Sequence, residues 1–328
     1  MAGKTRRVVF YQGIETDQDK RATPWSEQRW KRLFEEIRAA EEAEKEEDSG
    51  ETQPENQPRQ LWNEFNGRSY HCSVRTCKSP DVDYLYLCKL RPHIDWPDVL
   101  DFHGTVESLV AKAAQMGITN ILEPCYILPV SGTNYIAVMR SSGGPSPKAI
   151  SDWIDSFIDD VKSDEVFEVV PVFTKDALKR LSTAQGARRL SFAFRQAPVE
   201  SHDDKKTESH VEKAVSELSK IATQEMSIGV TLSFGPARQL GPGTDEMLKE
   251  VNEIVRKDMR SNRKLSKLEA TVIQDGDDGQ KSDPIDFLKE QCYERVEVGD
   301  NEDDEPTPET ILKAMWSAIG EFKKKLRT

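Results

Sequence analysis

A short stretch in the last third of the chain concentrates positive charge. Between Arg256 and Lys267, six of twelve residues are basic and one is acidic. Two or three cations at the end of a helix are expected because they complement the helix macrodipole, but six exceed that need. Clustered cations of this kind bind phosphate groups. The sequence therefore predicts a nucleic-acid contact through Arg256, Lys257, Arg260, Arg263, Lys264 and Lys267.

Two further basic groups lie elsewhere in the chain. Arg188 and Arg189 lie in a predicted strand, and we add both to the candidate nucleic-acid-binding residues. Other cations near them are Lys175, Lys179, Arg180 and Arg195, and the chain closes on Lys323, Lys324, Lys325 and Arg327. No recognition-helix motif and no RNA-type aromatic strand motif accompanies these residues in the sequence. The predicted contact is therefore with DNA phosphates and is independent of base sequence.

The sequence contains few patterns that are typical of catalytic sites. No two histidines are spaced as zinc ligands on an apolar helix face, and there is no Gly-x-Ser-x-Gly motif. A metal-dependent nuclease needs convergent carboxylates and a lysine. The nearest approach is the group Glu165, Glu168 and Asp176 beside Lys175 and Lys179, which surface helix charges explain as well. We expect a protein that is not an enzyme and needs no cofactor, with the nuclease kept as an alternative.

Two weaker patterns could bind a metal or an anion. His71, Cys72, Cys77 and Cys88 could combine as zinc ligands, but Cys72 and Cys77 are five positions apart in a predicted strand and should face opposite sides. The turn at 142–146, before a helix, could cradle a phosphate, but its glycine spacing is not that of a P-loop. We interpret the thiols as free and the turn as a helix entry.

The net charge of −12 argues against nucleic-acid binding when it is taken alone. The acidity is uneven, however. Residues 35–55 hold ten acids and two bases, and residues 300–309 hold six acids and no base, which leaves the other 297 residues at about +2. The remainder of the chain could therefore carry a basic face.

Hydrophobic periodicity predicts an α+β fold, with two domains of antiparallel sheet and packed amphipathic helices. Hairpins and helices follow one another without strict βαβ alternation. Strands are predicted over 6–11, 68–77, 82–90, 120–128, 134–140, 166–173, 187–195 and 226–234. Helices are predicted over 23–38, 105–116, 149–158, 174–181, 211–221, 244–259 and 307–322.

Composition shifts suggest where the domains divide. We predict a larger α+β domain at 1–200 that includes a flexible acidic linker at 41–58, and a second α+β domain at 201–306. The terminal helix at 307–328 should pack back on the core or on a dimer partner, and its apolar stripe is a candidate dimer interface. The five sparse cysteines, the absence of an apolar run of about 18 residues, and the lack of a signal-peptide pattern predict a cytoplasmic protein.

From about Tyr126 onward the order of elements resembles the Rex-type phage exclusion proteins, the RexA family of temperate phages. The segments that carry the resemblance are Tyr135-Ile-Ala-Val-Met139, Gly144-Pro145-Ser146, Ala149 to Ile158, Phe167 to Val172, Arg189 to Arg195, and Met226 to Phe234. A hairpin predicted around 275–279 and the cationic terminal helix are also similar to their counterparts in that family. The likeness covers roughly 200 residues and includes no catalytic motif.

The resemblance implies a homodimer with an RdgC-like fold that binds duplex DNA without sequence preference. It also implies a phage or prophage protein that works with a small membrane partner in superinfection exclusion. A second hypothesis is an anti-phage sensor module that binds a protein partner through the acidic segments and the helix at 23–38, without direct DNA binding. The sequence leaves open the trigger, the need for DNA, the dimer interface, and the role of the acidic segments 41–58 and 300–309.

Overall fold

The computed structural model describes twelve ranges of the chain. They are residues 3–16, 22–48, 61–65, 67–100, 104–158, 166–196, 226–234, 240–257, 264–276, 279–299, 301 and 306–327. These residues form six α-helices and fifteen strands, and the strand pairs whose register is defined among them are antiparallel. The fold class is therefore α+β, as predicted. The chain divides into two compact units, one made of Met1–Val170 with Tyr293–Thr328 and one made of Pro171–Cys292.

The sheet of the first unit has nine strands. Its order is β10-β1-β9-β8-β5-β4-β3, and β2 and β15 also pair with β1. The strands are β1 (Lys4–Thr16), β2 (Ala22–Pro24), β3 (Trp62–Phe65), β4 (Arg68–Lys78), β5 (Asp81–Arg91), β8 (Ile121–Pro129), β9 (Tyr135–Arg140), β10 (Val166–Pro171) and β15 (Tyr293–Val298).

Two helices cover one face of this sheet. Helix α1 (Glu27–Asp48) buries Trp30, Leu33, Phe34 and Ile37, the residues that recur at helical spacing in the sequence. Helix α3 (Pro147–Ile158) buries Trp153 and Ile154 in the same core. The apolar stripe of α1 is therefore packed inside the unit. The apolar stripe is therefore not available for the partner binding that the second hypothesis assigns to this helix.

The terminal helix α6 (Pro308–Arg327) packs on the other face of the sheet. The ring of Phe322 stacks on Phe10, with ring centroids 3.9 Å apart, and Phe10 alternates along β1 with Tyr11 of the first core. Met315 and Ile319 are buried along the same helix. The terminal helix thus packs back on its own unit, so its apolar stripe is not available as a dimer interface.

A small excursion separates β5 from β8. It contains a 3₁₀ turn (His93–Asp95), the short antiparallel strands β6 (Asp98–Leu100) and β7 (Val106–Ser108), and helix α2 (Leu109–Gln115). Gly117, with φ of +71°, ends the helix in the left-handed conformation that glycine accepts most readily. Predicted helix 105–116 therefore begins later than expected, because 106–108 pair as a strand.

The second unit is a four-stranded sheet of order β12-β11-β13-β14, covered on one face by two helices. Its elements are α4 (Lys175–Ser182), β11 (Gly186–Gln196), β12 (Met226–Ser233), α5 (Pro242–Lys257), β13 (Lys264–Gly276) and β14 (Gly279–Asp286). Thr174 caps α4 by accepting a hydrogen bond from the backbone N–H of Ala177 at 3.2 Å.

The two ends of the second unit run side by side. The backbone N–H of Cys292 donates to the carbonyl of Val172 at 2.7 Å, and that of Thr174 donates to the carbonyl of Glu290 at 2.9 Å. Chain entry and chain exit are therefore hydrogen-bonded to each other. The unit is a continuous insertion between β10 and β15, both of which pair with β1.

The structure divides the chain at different places from those predicted. β11 lies before the predicted boundary at 200/201, but it pairs with β12 and β13 and belongs to the second unit. β15 lies in the predicted second domain, 201–306, but it pairs with β1 of the first unit. Helix α1 also continues to Asp48, into the predicted acidic linker, where Glu41 accepts a hydrogen bond from the Val74 N–H at 2.9 Å. Residues 49–58 lie outside the described ranges, as does the predicted helix at 211–221.

Candidate nucleic-acid interface

The candidate interface lies on the second unit, whose sheet has two different faces. Leu190 and Phe192 of β11 and Leu268 and Ala270 of β13 face the helices and form the core. Side chains alternate along a strand, so positions 189, 191 and 193 of β11 and positions 267, 269 and 271 of β13 share the opposite face. We call this the polar face, because its described members are mostly charged or hydroxyl-bearing.

Two of the predicted binding residues lie on the polar face. Arg189 is exposed and pairs in register with Ser233 on one side and Thr271 on the other. Lys267 stands opposite Ala193, with 40% of its side chain exposed. The hydroxyl groups of Ser191 and Thr231 hydrogen-bond each other at 2.9 Å between them. Ser191 is buried and Thr231 is exposed, so the cations lie beside an exposed hydroxyl group that can also donate to phosphate oxygens.

The backbone register extends this pattern toward the start of β13. Arg195 of β11 pairs with Lys264 of β13. Positions 189 and 195 are an even number of residues apart, so they share a face of β11. The sequence did not group Arg195 with Lys264, because the 68 residues between them conceal the pairing. Only the strand register reveals that Arg195 and Lys264 are neighbours.

The structure describes the other residues of the predicted cluster at 256–267 only in part. Arg256 and Lys257 are the last residues of α5, and their side chains are outside the described set, like those of Arg195 and Lys264. Arg260 and Arg263 lie outside the described residues altogether. The structure thus brings Lys264 and Lys267 onto the strand beside β11 and does not describe the connection from α5.

Arg188 and Arg189 are separated despite being neighbours in sequence. A bulge interrupts the β11–β13 register between Ala187 and Arg189. The Arg188 guanidinium donates a hydrogen bond to Ser282 of β14 at 2.7 Å.

Lys267 has a nearby acid, Glu269, with Nζ 3.2 Å from the carboxylate. This ion pair is largely exposed and therefore weak, so it leaves Lys267 able to contact a phosphate.

Arg180, one of the other cations near Arg188, has a structural role that the sequence did not reveal. Its guanidinium binds both carboxylate oxygens of Asp283, with donor–acceptor distances of 2.8 and 2.6 Å. It also lies 3.4 Å from Glu290 and 3.8 Å from Asp176. These hydrogen bonds hold the pKa of Asp283 below its ordinary value. Arg180 therefore ties α4 to β14 and is not available for a phosphate.

We expect Arg180→Met to lower the free energy of unfolding by about 2 kcal/mol at neutral pH, because Asp283 loses both guanidinium hydrogen bonds and Glu290 loses one of its donors. The folded-state pKa of Asp283 is depressed, so the stabilisation is complete above the unfolded pKa of about 4 and is lost as pH falls below it. Urea unfolding from pH 7 down to pH 3 measures both effects. Lys179→Met, on the exposed side of the same helix, should change stability by less than about 0.5 kcal/mol. An equal loss in both variants would contradict this role of Arg180.

The lysines that end the chain are also engaged. Lys323 donates to the carbonyl of Ser131 at 2.9 Å, Lys324 pairs with Glu321 at 2.7 Å, and Lys325 pairs with Glu294. The contacts of Lys323 and Lys325 fix α6 to its own unit, and that of Lys324 lies within the helix. The cationic end of the helix is accordingly a poorer candidate for phosphate binding than the polar face.

The glycine turn before α3 already holds an anion from the same chain. The carboxylate of Glu123 accepts a hydrogen bond from Ser141 Oγ at 2.8 Å and lies against Gly143, where a Cβ would come within 2.7 Å of it. Ser146 caps the helix by accepting from the Ala149 N–H at 3.2 Å. A phosphate would have to displace Glu123, so the turn is a helix entry.

The cysteines offer little reactivity or metal affinity in the described part of the chain. Cys72 lies in the first core, and burial raises the pKa of Cys88 to about 11 and that of Cys125 to about 12. None of the five cysteines forms a disulfide. The described residues contain no group of three or more His, Cys, Asp or Glu side chains that could hold a metal ion.

Charge is distributed unequally between the two units. The second unit has 20 basic and 20 acidic residues, whereas the first has 26 basic and 38 acidic residues. The whole net charge of −12 therefore belongs to the first unit. The unit that carries the polar face is neutral overall, so its local cations are not opposed by a large excess of acids.

Comparison with protein families gives a match over residues 132–326 to DUF6731, described as a family of unknown function. That range is more than half of the chain. The chain belongs to the DUF6731 family. A comparison with curated proteins found no match.

The DUF6731 match includes the whole second unit, together with β9, α3, β10, β15 and most of α6 from the first. It therefore contains every residue of the polar face, while the excursion between β5 and β8 precedes it. Among the described residues, no helix is long and apolar enough to cross a membrane.

Proposed function

We propose that this DUF6731 protein binds duplex DNA without sequence preference, through the polar face of its second unit. The observation that carries the proposal is the β11–β13 register. It aligns Arg189, Ala193 and Arg195 of β11 with Thr271, Lys267 and Lys264 of β13. The register skips one residue of β13 between its pairings with Ala193 and Phe194, so Lys264 and Lys267 share a face although they are three positions apart. Four cations, Arg189, Arg195, Lys264 and Lys267, thereby occupy positions on one face of two neighbouring strands.

The length of this row suits a duplex backbone. Six residues separate Arg189 from Arg195, which corresponds to roughly 20 Å along a strand. Double-stranded DNA of that length carries about 12 phosphate charges. Hydroxyl groups of β12, such as those of Thr231 and Ser233, lie in register beside β11 and could add neutral donors.

The same geometry favours backbone contacts over base reading. Helix α5 packs on the other face of the sheet through Met247, Val251 and Ile254, all of them buried. The helix therefore lies on the side of the sheet opposite to the polar face and takes no part in the proposed contact. A nearly flat sheet surface that presents cations and hydroxyl groups contacts phosphates and sugars. Binding should accordingly be similar for all sequences.

The resemblance to Rex-type exclusion proteins supplies the biological setting of the proposal. We infer a cytoplasmic, non-enzymatic protein of phage or prophage origin that acts in superinfection exclusion, as a homodimer and with a small membrane partner. An RdgC-like fold is part of the same inference. Phage plating on cells that express the chain tests this setting, and unreduced plaque numbers for all challenging phages would contradict it.

Fluorescence anisotropy with a labelled duplex of about 30 base pairs tests DNA binding. Four phosphate contacts should give a slope of about −3.6 in a plot of log affinity against log salt concentration. Two duplexes of unrelated sequence should give the same affinity within about threefold.

Absence of binding at the lowest salt concentration would overturn the proposal. A salt-independent affinity would also overturn it, because phosphate contacts release counterions. Plasmid incubated with Mg²⁺ or Mn²⁺ should remain supercoiled, since the proposal is for binding alone. Nicked plasmid would instead favour the nuclease alternative.

A further inference from the structure

The excursion between β5 and β8 exposes an unusual amount of apolar surface. Of the eleven large hydrophobic residues that are exposed in the described part of the chain, six lie between 94 and 122. Ile94 is 93% exposed, Leu100 and Met116 are each 70% exposed, and Val106 is 66% exposed. Isolated exposed side chains are common, but a concentration of this kind marks a binding surface.

These side chains are contiguous around one pocket. Leu100 pairs across the small ribbon with Val106. Leu100, Met116 and Ile118 line a pocket of about 280 Å³, whose other lining residues are Val99, Leu109, Lys112, Ala113 and Ile121. We call Leu100, Val106, Met116, Ile118 and this pocket, together with Ile94, the excursion surface.

Ile94 projects beside the pocket. It lies in the 3₁₀ turn His93–Asp95, and the His93 ring Nε2–H donates to the carbonyl of Thr119 at 3.1 Å. That bond anchors the turn next to Ile118, one of the pocket-lining residues. The excursion surface therefore contains both an apolar projection and an apolar pocket.

The pocket is poorly suited to a small-molecule ligand. Its volume lies below the roughly 300–1,000 Å³ of typical ligand sites. Seven of its eight lining side chains are apolar, and the eighth, Lys112, pairs with Glu107 at 3.3 Å. Few polar groups are therefore present to orient a ligand. An aliphatic side chain from another protein matches the size and the lining better.

We propose that the excursion surface binds the same surface of a second copy of this chain. A two-fold arrangement places each Ile94 at the partner's pocket, so one set of residues supplies both halves of the contact. The excursion, residues 92–120, is comparable in size to the roughly 20–30 residues that each partner contributes to a stable interface. No other partner is needed to explain both the projection and the pocket.

Charges around the surface do not oppose this contact. Asp95 lies 3.4 Å from Arg68, Glu123 lies 3.5 Å from Arg91, and Glu107 lies 3.3 Å from Lys112. These pairs neutralise most of the nearby acids within each copy. Two first units, each acidic overall, can therefore approach here with less repulsion than their net charge suggests.

Sedimentation equilibrium of the full chain tests the proposal. The wild type should show twice the chain mass of 37.2 kDa at micromolar concentration. Ile94→Asp and Met116→Asp should each raise the dimer dissociation constant by roughly 100-fold, because a carboxylate would be buried in an apolar contact. Leu178→Asp, at an exposed leucine of α4, is the control and should leave the constant unchanged. Circular dichroism checks that each variant is folded.

A monomeric wild type at the highest concentration would overturn the proposal, as would a folded Ile94→Asp variant with the wild-type constant. An equal effect of Leu178→Asp would also overturn it. Cross-linking gives an independent result in a Cys292→Ser background. An Ile94→Cys chain mixed with a Met116→Cys chain should form a disulfide-linked pair on oxidation, whereas Leu178→Cys mixed with Ile94→Cys should not. The proposal rests on the homodimer inferred above and not on DNA binding. A monomeric chain that binds DNA would overturn the dimer and this interface alone, whereas a dimer that binds no DNA would overturn only the DNA contact.

Discussion

Replacing Arg189, Arg195, Lys264 and Lys267 together by Ala is expected to abolish measurable DNA binding. Each lost phosphate contact removes about 0.9 from the salt slope, which corresponds to roughly an eightfold loss of affinity at about 0.1 M salt. The combined loss is therefore roughly 10³–10⁴-fold, applied equally to all DNA sequences. Single variants should each lose about eightfold. Anisotropy at low salt, where the wild type binds most tightly, measures the series.

A control with the same change in net charge separates local contact from general attraction. Lys4, Lys249, Arg295 and Lys313 are exposed cations that are not part of the polar face, and their replacement by Ala removes four charges as well. This control should lose much less affinity than the polar-face variant, because long-range attraction is screened beyond about 8 Å at physiological salt. Equal losses in the two variants would place the DNA contact elsewhere.

Phe322→Ala should give the largest loss of stability in the first unit. The side chain is 2% exposed, stacks on Phe10 with the rings 6° from parallel, and meets the Tyr135 ring edge-on at 5.4 Å. Removal of a buried phenylalanine ring leaves a cavity and costs about 3–5 kcal/mol, and the lost aromatic contacts belong to that cost. Guanidinium unfolding followed by tryptophan fluorescence measures the change.

Trp316→Ala provides the comparison on the same helix. Trp316 is 47% exposed, so its removal should cost less than about 1 kcal/mol. If Phe322→Ala were no more destabilising than Trp316→Ala, the helix would not be docked through Phe322. The result would then reopen the terminal helix as a surface for a second copy.

Local periodicity was sufficient to predict most of the elements. The spacing of Trp30, Leu33, Phe34 and Ile37 predicts α1, and the four-residue turn 78–81 predicts the β4–β5 hairpin, whose register pairs Lys78 with Asp81. These signals depend on residues close together in sequence. β15 was missed because its alternation is short and its partner β1 lies nearly 300 residues away. The division into two units was missed for the same reason.

The candidate site shows the same limit. Cation density identified 256–267 as a basic segment. It could not show which cations of the chain are accessible: Lys267 lies on the polar face, whereas the guanidinium of Arg180 is bound by Asp283. The partners of Arg180 are about 100 residues away in sequence. Apolar residues of the excursion were assigned in part to a helix, since exposure cannot be read from one short segment. Tertiary pairing decides which charges and which apolar side chains remain accessible.

The adjoining ends of the second unit bear on how chains of this kind could diversify. Strand β10 enters the insertion and β15 leaves it, and both strands return to the same neighbour, β1. A gene segment that encodes residues 171–292 could therefore be replaced by another whose termini also meet, without rebuilding the host sheet. Recombination between related genomes would then exchange one such module for another as a whole, while the surrounding framework is inherited intact.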